Sequence, residues 1–340
     1  MTVSIIVPHL NRCVLLERLL DSIQGLNLAP DIEVEILVVD NGSMDGSIEM
    51  ASGRGARVLP LGRNVGVSRA LNRGIEATRG EYIALINNDV ELEPNWLRGL
   101  LTQLRDTKHW FATGKMLVRD DPKRIDGAGD AICRGGAAWR LGHGKLDGPA
   151  FAVSRRTYFP AATATLFRRA FFERVGLFEE SFFAYLEDVD LGFRAALADL
   201  PGVYVPEAVA YHRSGGTTGV WSPQMVEWLT CHQLLLLAKF YPWRLFVRFG
   251  CAILVAQLLW AALAISRGRL GGWARGLVQG LWRFASFRRH SRPMRAEACR
   301  LAEVLESAEA EIARVQQATG WDRYWKWYFL LARPPLGVRS

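Results

Sequence analysis

The chain is narrowed first by what it lacks. No Cys-x-x-Cys pair occurs among its five cysteines (Cys13, Cys133, Cys231, Cys251 and Cys299), which argues against a zinc ribbon or a dithiol redox centre and fits a reducing compartment. No Gly-x-Gly-x-x-Gly follows the first apolar run, and no Gly-x4-Gly-Lys-Ser/Thr occurs anywhere. Dinucleotide-binding and P-loop readings therefore lose their main support. The opening residues, TVSIIVP at 2–8, have no basic stretch ahead of an apolar core. A secretory signal peptide is thus not expected, and the front of the chain is expected in the cytosol. Acidic residues are missing altogether from 228–296, a stretch that carries 11 Lys or Arg.

The residues that are present divide the chain. Of its 340 residues, 50% are hydrophobic and 22% charged, which excludes a disordered, collagen-like or disulfide-framework protein. The net charge of +8 hints at nucleic acid, but it is unevenly placed. From 228 onward 17 Lys and Arg face 6 Asp and Glu, a net +11, while 1–227 hold the other 25 and 28, a net −3. Eight of the 12 Trp also lie at or beyond 228. The expected division is a catalytic domain at 1–227, basic Trp-rich helices at 228–296, and a C-terminal helix with an aromatic tail at 297–340.

In the front half, β-branched runs at 3–7, 34–39, 57–61 and 82–86 alternate with helical patterns at 15–23, 47–52 and 67–78. Such alternation predicts an α/β fold with a mostly parallel sheet, right-handed crossovers and helices on both faces. Ligands of such sheets bind outside the carboxyl ends of the strands. His9 and Asn11 follow the first run, Asp40-Asn41-Gly42-Ser43 the second, and Asn87-Asn88-Asp89 the fourth. Each cluster alone also reads as turn chemistry. Three converging on one edge favour a site. A diphosphate bound there without a glycine loop needs its charge offset otherwise, and Mg or Mn on an acidic residue does this.

The runs VSIIVPHLNR (3–12), ILVVDNGSMDGS (36–47) and NVGVSRALNRGIEATRGEYIALINNDVEL (64–92) resemble a family 2 glycosyltransferase of the GT-A fold, in its bacterial rhamnosyltransferase-like branch, over roughly residues 2–220. The resemblance implies an inverting transfer of a sugar from a nucleoside diphosphate sugar to a hydroxyl, assisted by Mg or Mn. It also implies roles for particular residues. Asp40 contacts the base, Pro8 and Asn11 shape the base and ribose pocket, and Asn64 and Arg69 lie along the nucleotide. Asp89 closes an Asp-x-Asp-type signature and binds the metal. Its first two positions here are Asn87 and Asn88, nucleotide-contacting amides that add no negative charge.

By the same resemblance, FFAYLEDVDLGFR (182–194) supplies the general base. An inverting transfer is a single displacement, so the attacking hydroxyl needs a carboxylate to take its proton. Asp188 is assigned as base, with Glu187 orienting acceptor or base. Adjacent acids raise each other's proton affinity. Glu187, Asp188 and Asp190 also crowd the start of a helical pattern, where the helix dipole alone favours acids, and Asp190 fits that simpler account. His212 reads either as a structural histidine or, by resemblance, as a metal ligand; imidazole suits Mn better than Mg. The loop at 214–219 is expected to close over the donor. The glycine-rich stretch at 119–150 reads as a surface excursion or as an acceptor-facing lid.

In the back, FGCAILVAQLLWAALAI (249–265) would form a helix of about 26 Å, short of the roughly 30 Å hydrocarbon core. It reads as a marginal span or as a buried or interfacial helix. Its neighbour, LGGWARGLVQGLWRFASF (270–287), followed by Arg288, Arg289, Arg292 and Arg295, points to a membrane surface. Nucleic acid is not expected, because the basic residues sit among Leu, Trp and Phe rather than among polar residues. The expected partners are a sugar nucleotide, a glycan or polyprenyl-linked acceptor, and the cytoplasmic face of the inner or plasma membrane, met in a peripheral or monotopic way. A catalytically inactive sugar-nucleotide binder is the alternative. Oligomeric state is left open. The apolar residues at 301–315 fall at roughly heptad spacing, too short a run for a coiled coil, and WDRYWKWYF at 321–329 reads as an interface belt or as a packing or dimer surface.

Overall fold

The computed structural model describes residues 1–105, 108–213, 221–291 and 298–332; the expected loop at 214–219 and Arg292 and Arg295 lie outside them. In chain order the elements begin β1 (Thr2–His9), α1 (Cys13–Gln24), β2 (Glu33–Asp40), α2 (Ser47–Gly53), β3 (Arg57–Pro60), α3 (Val67–Ala77), β4 (Tyr82–Ile86), β5 (Val90–Leu92) and α4 (Trp96–Arg105). Then follow β6 (Phe111–Val118), β7 (Asp121–Gly127), β8 (Asp130–Ile132), β9 (Ala138–Arg140), β10 (Arg155–Thr157), β11 (Ala164–Arg168), α5 (Arg169–Val175), α6 (Glu187–Leu197) and β12 (Gly202–His212). The remainder is helical: α7 (Pro223–Phe240), α8 (Trp243–Ser266), α9 (Leu270–His290), α10 (Ala298–Thr319) and α11 (Arg323–Leu331).

Contacts group the chain into two compact units. One comprises Met1–Gly129 and His143–Thr217, the other Asp130–Gly142 and Thr218–Ser340. The division differs from the expected boundaries in two ways. It falls ahead of residue 227, and it places 228–296 and 297–340 in one helical unit together with a hairpin from the middle of the chain.

The first unit is built on a ten-stranded sheet whose main path runs β10-β12-β6-β11-β4-β1-β2-β3, with β5 pairing β12 and β7 pairing β6. Through β3-β2-β1-β4 it is parallel, as the alternation of strands and helices predicts; β6 and β12 are parallel and the other pairs antiparallel. Period-2 alternation decides which face each side chain enters. Val3, Ile5 and Val7 of β1 pack with Leu16, Leu19, Leu20 and Ile23 of α1 and with Trp96, Leu97, Leu100, Leu101 and Leu104 of α4. Ile6, between them, points the other way, onto Ala70, Leu71 and Ile75 of α3 and onto Leu191 and Ala195 of α6. Both faces are therefore covered.

The stretch at 119–150 is not a surface excursion. Residues 125–137 are buried throughout, β7 extends the sheet of the first unit, and β8 and β9 form a hairpin in the second. Within that second unit, Gly272, Gly276 and Gly280 line the face of α9 that meets α7. A Cβ at Gly276 would collide with the Glu227 carbonyl, so only glycine admits this approach. The hairpin turn carries a buried charge pair, Arg134 and Glu309 at 2.8 Å. Glu309 also accepts from the Arg134 backbone N–H at 2.8 Å and from the Tyr328 hydroxyl at 2.7 Å, so its lone pairs are satisfied where water is excluded.

Candidate active site

The carboxyl ends of β1, β2 and β4 carry the first of three polar groups. There β1 and β2 lie in parallel register with His9 opposite Asp40. Asn11 and Arg12 follow with φ of 53° and 67°, a left-handed conformation that non-glycine residues rarely adopt. Hydrogen bonds hold this turn. The Asn11 N–H donates to Ser43 Oγ at 2.7 Å, and the Met44 N–H donates to Asn11 Oδ1 at 3.0 Å. The buried Asp40 carboxylate accepts from the Gly42 and Ser43 N–H groups, both at 3.1 Å, so the turn chemistry allowed by its sequence context is present. Pro8 is half-buried in β1.

Asn88, also buried, donates from its amide to His9 Nδ1 at 2.8 Å, while Asn87 is half-buried with its backbone N–H on the Thr163 carbonyl at 2.9 Å. Burial holds the His9 pKa below its ordinary value against the opposing pull of Asp40 and Asp45.

The second group surrounds the acid pair. Residues 178–186 are clamped onto the start of α3. The Val67 N–H donates to the Phe183 carbonyl at 2.7 Å, Ser68 Oγ donates to the Phe182 carbonyl, and the Asn72 side chain exchanges bonds with the Phe178 backbone at 2.8 and 2.9 Å. A Cβ on Gly66 would lie 2.6 Å from the Phe183 carbonyl oxygen, so the approach requires glycine. Tyr185 and Leu186 then take φ of 68° and 66°, two left-handed residues that turn the chain into α6. Glu187 is buried and Asp188 half-buried in the first helical turn, where the Val189 N–H donates to Asp188 Oδ1 at 2.8 Å.

Asp190 is committed elsewhere, bonding Arg194 at 2.9 Å in the interior, a pairing that the helix-start account did not include. Asn64 Oδ1 accepts from the Gly66 N–H at 3.0 Å, and Arg69 lies 3.4 Å from Glu180 on the surface. Asn41, at the end of β2, accepts from the Val65 N–H at 3.1 Å and donates to the Gly66 carbonyl, tying this group to the same edge.

The third group was only partly legible in the sequence. β12 pairs β5 with His212 opposite Val90, which sets the imidazole beside Asp89. His212 Nε2 lies 3.2 Å from Asp89 Oδ1, and its Nδ1 lies 2.8 Å from Asp126 Oδ2 on β7. All three side chains are buried. Burial alone would depress the histidine, but the two carboxylates outweigh it and lift its pKa to about 9. Among the described residues Asp89 Oδ1 has no close partner besides this imidazole, at 3.2 Å. An acceptor oxygen left so beside a ring nitrogen suits a cation. Among the described residues no three His, Cys, Asp or Glu side chains form a ready metal cage. Asp126 sits on the other ring nitrogen, so Asp89 and His212 are the two side chains here that could share a cation, and an imidazole suits Mn better than Mg.

The family model described as "Glycosyl transferase family 2" matches residues 4–176. An N-acetylglucosaminyl-diphospho-decaprenol L-rhamnosyltransferase of Mycobacterium tuberculosis is 32% identical over 239 residues, 62% of this chain and 74% of that protein. Among solved structures, the mannosyltransferase PcManGT of Pyrobaculum calidifontis, in complex with GDP-Man and Mn2+, superposes with a TM-score of 0.51 at 17% identity, covering 94% of this chain and 87% of that one. GalNAc-T7 with UDP, GalNAc and Mn2+ gives a TM-score of 0.60 at 15% identity over 86% of this chain and 55% of that one. These structural likenesses concern the fold, which is of the GT-A type.

Proposed function

The chain belongs to glycosyl transferase family 2, and from this glycosyltransferase identity we propose an inverting transfer of rhamnose or a similar sugar from a nucleoside diphosphate sugar to a hydroxyl of a polyprenyl-linked or cell-surface glycan acceptor. The observation that carries the reading is the buried pair of Asp89 Oδ1 and His212 Nε2, 3.2 Å apart at the strand edge where the acid-pair loop is also tethered.

In this reading Asp188 accepts the proton of the attacking hydroxyl and Glu187 orients the acceptor or the base. Pro8, Asn11 and Asp40 receive base and ribose, while Asn64, Arg69, Asn87 and Asn88 lie along the nucleotide. Asp89 and His212 hold Mg or Mn, which when bound offsets the charge gathered by the departing diphosphate. Asp126 keeps a proton on His212 Nδ1 and thereby presents Nε2 to the Asp89 side, the second carboxylate that metal-binding histidines ordinarily carry behind them. The acceptor class follows the decaprenol-linked substrate named for the mycobacterial relative, and an acceptor of that kind supports work at the cytoplasmic face of the membrane.

The test is purified full-length protein with dTDP-rhamnose, UDP-sugars and GDP-sugars, a detergent-solubilised polyprenyl diphosphate-linked sugar, and Mg or Mn. Nucleotide release with a product of inverted anomeric configuration is expected. Donor binding by thermal shift with neither transfer nor hydrolysis would overturn the reading in favour of an inactive sugar-nucleotide binder.

A further inference from the structure

We propose that the second unit seats on an anionic bilayer through the exposed faces of α8 and α9, with α8 lying in the plane of the interface rather than crossing it. The proposal rests on the lipid-linked acceptor reading above and decides between the two roles open to the 249–265 run.

By length alone α8 could cross. It runs 24 residues, about 36 Å, against a hydrocarbon core of roughly 30 Å. Its packing argues otherwise. Leu245, Phe249, Ala252, Ala256, Trp260 and Ala264 are buried along one side for the whole length of the helix. That side meets polar groups at several points and joins Val226 in an apolar cluster through Trp260 and Ala264. The Trp260 indole N–H donates to Thr230 Oγ1 at 2.8 Å, the Tyr324 hydroxyl donates to the Ala256 carbonyl at 3.1 Å, and the hairpin backbone at Gly135 abuts Ala252 and Ala256. The Arg134 guanidinium, paired with Glu309, stands 5.6 Å from the centre of the Phe249 ring. A spanning α8 would carry this ion pair and a non-helical hairpin to membrane depth, where both are costly.

The opposite side has what an interfacial helix needs. Trp243, Val247, Leu254, Leu258 and Ile265 recur at steps of four and seven residues, which places them on one stripe, and they are 51–87% exposed. No charged residue lies between Arg248 and Arg267, and the stripe ends in Arg244 and Arg248 on one side and Arg267 and Arg269 on the other. On α9, Leu270, Val278, Leu281 and Trp282 are exposed as well, and the last turn is Arg288-Arg289-His290. Of the 18 exposed large hydrophobics among the described residues, 13 belong to this unit. An apolar stripe with cationic ends and tryptophans suits headgroup-level insertion into anionic lipid. It suits a second copy of the chain poorly, because a two-fold contact would set Arg244, Arg267 and Arg269 against one another, and among the described residues Arg248 is the one end arginine with an acid beside it, Glu306 at 2.6 Å.

The test uses full-length protein and vesicles of phosphatidylglycerol and phosphatidylcholine, with pure phosphatidylcholine as the control. Flotation with the anionic vesicles is expected. A V247E/L254E/L258E variant should lose at least about tenfold in partitioning while keeping the wild-type melting temperature and transfer to a detergent-solubilised acceptor. Spin labels at Cys251 and at an A262C substitution, in a background without the other cysteines, should report the same shallow depth. Graded or mid-bilayer depths would overturn the in-plane arrangement, and wild-type protein that dimerises without floating would overturn the lipid partner. Transfer activity without flotation removes this proposal alone, whereas flotation without transfer removes the acceptor reading and leaves the membrane seat standing.

Discussion

His212 bridges two carboxylates that lie far apart in the chain, with Nδ1 2.8 Å from Asp126 Oδ2 and Nε2 3.2 Å from Asp89 Oδ1. The two sides are chemically unequal. The Asp126 contact is a hydrogen bond, whereas Asp89 Oδ1 stands farther from the ring. In the proposed reading the first carboxylate orients the ring and the second meets the cation. This asymmetry separates the effects of substituting each.

Asp126→Asn should weaken Mn binding by about 10–100-fold, because an amide no longer fixes the imidazole tautomer. Asp89→Ala should abolish it. Titration of Mn by electron paramagnetic resonance reads this without any turnover. An unchanged Mn affinity in Asp126→Asn would show that the carboxylate serves packing alone, and wild-type turnover by Asp89→Ala would relocate the metal.

Asp188 and Asp190 are neighbours with opposite expectations. Asp188→Asn should lower kcat by about 10²–10⁴-fold with donor affinity and melting temperature kept. Asp190→Asn removes the buried partner of Arg194, and breaking such a pair costs about 3–5 kcal/mol, so the loss should appear in thermal or urea unfolding. The reverse pattern would exchange their roles.

Arg69 gives a clean probe of donor binding, since its only described ion pair, with Glu180, is at the surface and worth about 0–1 kcal/mol. Arg69→Ala should leave unfolding almost unchanged and weaken donor affinity in a thermal-shift titration. Undiminished affinity would remove Arg69 from the nucleotide path.

The cysteines differ in reactivity by position. Burial pushes the Cys133 thiol up to about 12, so at pH 8 it stays protonated and unreactive, whereas Cys251 and Cys299 are exposed. Mass spectrometry after brief alkylation of the native protein should find label on Cys251 and Cys299 and none on Cys133. Equal labelling of Cys133 would mean that the hairpin opens readily.

The parts legible in the sequence are those governed by local pattern. β1 to β4 and α1 to α3 lie where the period-2 and helical spacing put them, and α6 starts at Glu187. The metal-side group was only half legible for a physical reason. Asp126 sits in DPKRIDG, a strand with one large apolar residue, whose burial comes from pairing with β6 and not from its own alternation. Its partner His212 is 86 residues away. Likewise no local feature of 130–142 announces that it packs with helices far downstream. The roles of Asn64 and Arg69 came from resemblance, and the structure adds local bonds that any donor would have to share or displace.

The hairpin of β8 and β9 also sets a schedule for folding. Arg134 and its partner Glu309 are 175 residues apart, so at roughly 5–20 residues per second the ribosome delivers the second about 9–35 s after the first. Throughout that interval Arg134 has emerged without its charge partner, and until α7 and α8 follow, Ile132 and Cys133 lack the helices that pack on the hairpin. A chain cut at residue 217 would keep them in that state permanently, so the sheet-bearing unit should be prone to aggregate when expressed alone, and full-length translation is a condition for its solubility.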